Sequence, residues 1–227
     1  MKSLLLLHGA IGAKDQLEPL AELLKNDYHI HTLNFDGHGG AAMPSEPFSI
    51  PLFAKNVNDY CITASITNVD VFGYSMGGYV AMYLAKQSPS LINKIVTLAT
   101  KFHWDEAISS KETKMLDAGV IAQKVPAFAT QLQQRHAPND WTQVLDKTKD
   151  MLLQLGRQNT LQLNDYASIQ TPSLIMLGDK DKMVTAEETL AVYRALLTVQ
   201  LCILPGTPHP LEQVDMSLLA YHITRFL

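Results

Sequence analysis

The sequence predicts a single α/β domain, built on an open, mostly parallel six-stranded sheet flanked by helices on both faces. Three observations predict it. Short apolar runs alternate with helical patterns across most of the chain, which is the rhythm of strand-helix-strand units. The runs are compact and bounded by turn residues, as strands covered on both faces are. With 227 residues and 47% hydrophobic composition the chain can bury one substantial core but is short for two enzyme domains.

Strands are placed at about 3–7, 29–35, 69–73, 94–99, 173–177 and 200–204. The first could be mistaken for a secretory leader, because a lysine precedes its leucines. Only four leucines run before His8, however, so the segment is read as a core strand of the mature protein. Between the first two strands, Leu17, Leu20, Ala21 and Leu24 recur at helical spacing. Ser49 and Pro51 open a second helix that carries Leu52, Phe53, Val57, Tyr60 and Ala64 on one stripe. A third helix is expected from Met76 to Lys86, and Thr185-Ala186-Glu187-Glu188 reads as a capping box that starts another. From about 101 to 168 every pattern is helical, which reads as an inserted cap. Within it a helix from Asp140-Trp141 to Leu155 is expected to close at Gly156, and Pro126 and Pro138 divide the shorter pieces.

Composition narrows the function. A formal charge of −4 with scattered cations leaves no field for nucleic acid or anionic lipid. No stretch approaches the roughly 18 apolar residues of a spanning helix. Cys61 and Cys202 sit inside a helical and a strand pattern and cannot form a disulfide framework. A soluble, cytoplasmic protein with a small-molecule substrate is therefore expected, with no nucleic-acid or membrane partner.

The run Gly73-Tyr74-Ser75-Met76-Gly77 carries the chemistry. A Gly-x-Ser-x-Gly match arises by chance in about one chain in ten to twenty of this length. Its setting makes it specific, because it joins a strand ending at Phe72 to a helical pattern beginning at Met76, the strand-to-helix elbow this motif requires. Ser75 is thus the expected nucleophile, and glycines at 73, 77 and 78 leave room for its strained backbone.

A serine hydroxyl needs a base. Of eight histidines, His209 lies in the loop Pro205-Gly206-Thr207-Pro208-His209-Pro210 after the last strand. That is the carboxyl edge of the sheet, shared with Ser75. The base in turn needs a carboxylate to hold its tautomer. Asp179 and Asp181 both follow the fifth strand, with Asp181 favoured, and Asp105 is a third option. The order Ser75, Asp181, His209 differs from the orders in chymotrypsin-like and subtilisin-like enzymes. An oxyanion would be met by the N–H of Met76 and that of Ala10, in the loop His8-Gly9-Ala10-Ile11-Gly12, with Ile11 as the fallback. That loop lacks the dinucleotide fingerprint and a Lys-Ser/Thr pair, so nucleotide binding is not expected. No metal or other cofactor is expected either.

Together these residues resemble the α/β-hydrolase fold family, in its compact serine hydrolase branch with a helical cap. The likeness spans nearly the whole chain and includes Asp36-Gly37-His38-Gly39, similar to the family's Asp-x-x-Gly-x-Gly loop, and the segment Ile169 to Asp181. The resemblance implies that Asp181, three residues after Gly178, is the acid and that His209 is the base. Two departures stand out. The family's first two strands are missing, which leaves six, and His38 stands near a place where the family often carries arginine.

The expected activity is cleavage of a carboxylic ester with a small to medium, largely apolar acyl group through an acyl-enzyme. Phe102, His103, Trp104 and Met115 are candidate substrate contacts beneath the cap. A lyase or carbon–carbon bond hydrolase using the same triad is the alternative, and would be favoured by a charged pocket drawing on Lys101, Lys111, Lys114, Lys124 or Arg135. A noncatalytic ligand receptor on the same fold is a further alternative.

Overall fold

The computed structural model describes all 227 residues. Six parallel strands form one sheet: β1 (Lys2–Leu7), β2 (Tyr28–Thr32), β3 (Val69–Tyr74), β4 (Ile92–Leu98), β5 (Ser173–Gly178) and β6 (Val199–Leu204), in spatial order β2-β1-β3-β4-β5-β6. The order reverses around β1, and such a switch opens a crevice at the carboxyl ends of the strands.

Alternation along β1 sets the two layers. Leu4 and Leu6 point to one face, where α1 (Glu18–Leu24) and the terminal α10 (Met216–Phe226) supply Leu20, Leu24, Leu219 and Ile223. Leu5 and Leu7 point to the other, packed with Phe53 and Val57 of α2 (Ile50–Thr63), Val80 and Leu84 of α3 (Met76–Gln87) and Val192 of α9 (Ala186–Ala195). All four leucines are fully buried, so truncating any of them to alanine should cost about 2–5 kcal/mol.

Helix starts follow their caps. The Ser49 hydroxyl accepts from Leu52 N–H at 3.2 Å at the head of α2, and Thr185 with Glu188 forms the reciprocal capping box of α9. Between β4 and β5 the chain forms only helices: α4 (Glu106–Glu112), α5 (Ala118–Lys124), α6 (Pro126–His136), α7 (Trp141–Arg157) and α8 (Leu163–Tyr166), with one 3-10 turn at Thr113–Met115. No helix is long and apolar enough to cross a membrane.

Two local expectations are corrected. The second strand stops at Thr32 instead of continuing to 35, because the Phe35 N–H is taken by His8 Nε2 at 3.2 Å and not by a neighbouring strand. Gly156 does not close α7, which runs on to Arg157. Its missing side chain instead admits α4, since a Cβ there would collide with Ser109 and with the Asp105 carbonyl. The glycine is a helix-crossing point.

Candidate active site

Ser75 sits at φ 51° and ψ −117° between β3 and α3. A non-glycine residue there stores about 1–3 kcal/mol of strain, which the surroundings must offset. They do so from both sides. Its N–H donates to the Leu98 carbonyl at 2.8 Å, and its own carbonyl accepts from Gly78 N–H at 3.0 Å and from the Thr100 hydroxyl at 3.1 Å. A Cβ at Gly73 would meet the α3 backbone, and one at Gly77 the carbonyls of Leu7 and His8. The elbow therefore exists only with glycine at these places.

His209 reaches Ser75 from the loop after β6, with Nε2 3.5 Å from Oγ. On its other side Nδ1 lies 2.8 Å from Asp181 Oδ2. The second Asp181 oxygen accepts the N–H groups of Met183 and Val184 at 2.8 and 2.9 Å. Burial pushes the Asp181 pKa up, but the His209 bond and the two amides more than offset this, and the carboxyl titrates below its ordinary value. An ionised Asp181 in turn fixes the proton of His209 on Nδ1 and leaves Nε2 free to accept. Tyr74 holds the loop itself, its hydroxyl donating to the His209 carbonyl at 2.9 Å.

The competing carboxylates have other partners. Asp179 is exposed and accepts from Thr207 N–H at 3.3 Å, while Asp105 caps α4 through Ile108 N–H at 2.7 Å. The structure thus brings Ser75, His209 and Asp181 together and leaves the other two apart.

Ala10 and Met76 both border the cavity at Ser75. Met76 is the first residue of α3, where N–H groups have no partner within the helix. Ala10 belongs to a turn closed by Gly12 N–H to the Gly9 carbonyl at 3.1 Å, with Ile11 at φ 51°. Gly9 packs against the Tyr74 ring and Ser75 Cβ so closely that no side chain fits, which draws this turn onto the serine.

The cavity measures about 370 Å³, and most of its wall is apolar. Ile50, Trp104, Leu116, Met151 and Leu155 line it, together with the half-exposed Met115. Besides Ser75, His209 and the tyrosines Tyr74 and Tyr79, its polar members are Gln16, Lys101, Glu112, Arg135, Thr148 and Glu212. Of the candidate substrate contacts, Trp104 and Met115 are on the wall; Phe102 and His103 are not. Phe102 is buried in the core with its ring edge-on to Tyr166, and His103 is turned outward, 3.6 Å from Asp105. The chain leaving β4 alternates in direction, so neighbours in sequence part company. Of the five cations considered from this segment, Lys101 and Arg135 reach the cavity. Gln16, which donates to Glu212 at 2.6 Å, carries no sequence signal, because it lies outside the helical segment and only folding brings it to the rim. Met151 and Leu155 did carry one, the i, i+4 stripe of α7.

Comparison with known proteins agrees with this architecture. A family model for the alpha/beta hydrolase fold matches residues 2–154. The pimeloyl-[acyl-carrier protein] methyl ester esterase of Neisseria meningitidis is 24% identical over 92% of this chain and 87% of its own. Ethanol acetyltransferase 1 of Cyberlindnera fabianii is 27% identical over 94 residues, a match that spans 40% of this chain and only 28% of that protein. A hydrolase from Pseudomonas aeruginosa superposes with a TM-score of 0.81 at 16% identity, over 99% of this chain and 89% of its own. With the six-stranded parallel sheet and the serine elbow, the match over residues 2–154 establishes that the chain belongs to the alpha/beta hydrolase fold family.

Proposed function

We propose that this protein is a serine hydrolase that cleaves a carboxylic ester, with helices α4 to α8 acting as a cap over the site. The observation that carries this reading is the continuous chain Asp181–His209–Ser75 at the wall of an apolar cavity. His209 Nε2 takes the Ser75 proton as Oγ attacks the ester carbonyl, and the 3.5 Å gap closes to hydrogen-bonding distance in the substrate complex. The N–H groups of Met76 and Ala10 receive the oxyanion. His209 then protonates the leaving alcohol, which departs and leaves an acyl-enzyme. A water molecule, deprotonated by the same ring, releases the acid and restores Ser75.

The apolar wall suits an acyl chain of small to medium length, held among Ile50, Trp104, Met151 and Leu155. The charged groups on the wall are Lys101, Arg135, Glu112 and Glu212, a minority beside its apolar residues, and this gives less support to a lyase or carbon–carbon bond hydrolase. The test is fluorophosphonate labelling followed by a panel of p-nitrophenyl esters of increasing acyl length. Labelling at Ser75, turnover that Ser75→Ala abolishes, and a preference among short and medium chains are the expected results. Full turnover by Ser75→Ala would overturn the assignment.

A further inference from the structure

His136 is the last residue of α6 and is almost fully buried, yet it belongs to neither apolar core. Its ring is gripped at both nitrogens. Nδ1 accepts the Gly39 N–H at 3.1 Å, and Nε2 lies 3.0 Å from the Ile11 carbonyl. Because an amide N–H can only donate, Nδ1 must be bare, so the ring's one proton sits on Nε2 and is donated to Ile11. Only the neutral Nε2–H tautomer satisfies both partners.

Ile11 is the β-branched residue at positive φ in the turn from Gly9 to Gly12. Such a conformation normally falls to glycine, so the turn needs something outside itself to select it. The bond from His136 supplies that, since fixing the direction of the Ile11 carbonyl fixes the peptide that closes the turn. Ala10 immediately precedes it.

We propose that His136 is a positioning residue for ester cleavage: its neutral ring, donating to Ile11 and accepting from Gly39, holds the Gly9–Gly12 turn so that the Ala10 N–H faces the oxyanion. This rests on the hydrolase reading above. It makes part of the rate depend on a histidine in an inserted helix that never touches substrate.

Protonation of Nδ1 would set an N–H against the Gly39 N–H and break the grip. The titratable and charged groups around the ring are His38 from the facing loop, with ring centroids 5.7 Å apart, His8 behind it, Arg135 on the same helix and Asp15. Burial lowers the His136 pKa, the Ile11 bond opposes this, Arg135 adds to the lowering and Asp15 counters it. Histidines 8 and 38 are shifted down in the same way, so neither presents a charge to His136 near neutrality. The next linker has its own anchor, Asn139 Nδ2 donating to the carbonyls of Gly37 and Ala41 at 3.1 and 2.6 Å. Losing the His136 bonds therefore need not detach the helix.

Two variants separate positioning from mere packing. His136→Asn keeps an acceptor for Gly39 but cannot reach Ile11, whereas His136→Gln keeps a donor long enough for Ile11. On an ester that the wild type turns over through Ser75, His136→Asn is expected to lower kcat on the order of 10- to 100-fold with KM little changed, and His136→Gln to lower it much less. Both should lose a second, lower-pH ionisation from the acid limb of kcat. Equal kcat in both variants and wild type, or an unchanged acid limb in His136→Gln, overturns the proposal while leaving the hydrolase reading intact. Absence of Ser75-dependent turnover in the wild type overturns the hydrolase reading itself. Histidine 15N NMR on the unmodified protein needs no variant to fold: the Ala10 and Gly12 amides should shift with the His136 titration, and amides that stay fixed as His136 titrates refute the link.

Discussion

Gly178, the last residue of β5, lies directly against the carbonyl of Thr207, so a Cβ on residue 178 would occupy the space of that oxygen. This approach brings the loop that carries Asp181 against the loop that carries His209. Backbone bonds seal it, from Asp179 N–H to the Leu204 carbonyl at 3.0 Å and from Lys180 N–H to the Thr207 carbonyl at 3.1 Å. Gly178→Ala should force the loops apart, costing about 1–3 kcal/mol as overpacking does. Ester turnover should fall more than stability implies, because the separation of His209 from Asp181 is what opens. Urea denaturation and kcat on the same preparation check this, and wild-type values for both would contradict it.

Replacing Asp181 by asparagine leaves the shape but removes the charge that stabilises the imidazolium, and kcat should fall by roughly 10⁴. The same variant has a stability signature. A carboxyl whose folded pKa is depressed contributes stability above its unfolded value and loses it as pH falls through the folded one. The gap between wild type and Asp181→Asn should therefore be constant near neutrality and narrow below about pH 4, the ordinary carboxylate range. Denaturation midpoints from pH 7 to pH 3 measure it. A gap that widens in acid would mean that His209 does not stabilise the ionised form.

The backbone at Ser75 makes an opposite prediction for stability and for activity. Glycine at this position would relieve about 1–3 kcal/mol of strain and lose about 0.5–1 to added freedom in the unfolded chain. Ser75→Gly should thus be inactive and yet more stable, by about 1 kcal/mol. Thermal unfolding of the two proteins side by side is sufficient. A destabilised variant would show that the φ of 51° is not strained.

Three buried histidines near one another set the acid limit of the fold. His8, His38 and His136 all titrate below the ordinary value because burial disfavours the charged ring, His8 at about 4. A histidine that binds its proton more readily when unfolded makes stability fall as pH drops from its unfolded value of ~6.5 toward its folded one. His8 alone should account for roughly 3 kcal/mol across that interval, at about 1.4 kcal/mol per pKa unit. Stability measured at pH 7, 6 and 5 should decline steadily, and His8→Gln should flatten the slope. A flat wild-type profile would show that these rings are not held neutral.

Much of this protein is legible in its sequence because much of it is local. The leucines of β1 form one unbroken apolar run, and the Ser49 cap of α2, the Thr185–Glu188 box and Gly73 against the first turn of α3 each act through neighbours a few residues away. Parallel topology then places every loop that follows a strand at one edge, which is why the sequence alone groups Ser75, Asp181 and His209. What the tertiary structure decided depends on residues far apart in the chain. Phe102 and His103 lie away from the cavity because of the direction in which the chain leaves β4, while Asp181, already favoured over Asp179 in the sequence, meets His209 only through the reach of its loop. Gly156 was turned from a helix end into a crossing point by Ser109, 47 residues before it, and the second strand was cut short by a histidine side chain on β1's loop. His136 carries no motif at all. Its place between Ile11 and Gly39 follows from helix packing, and packing is set by the whole surface of contact and by no short pattern within it.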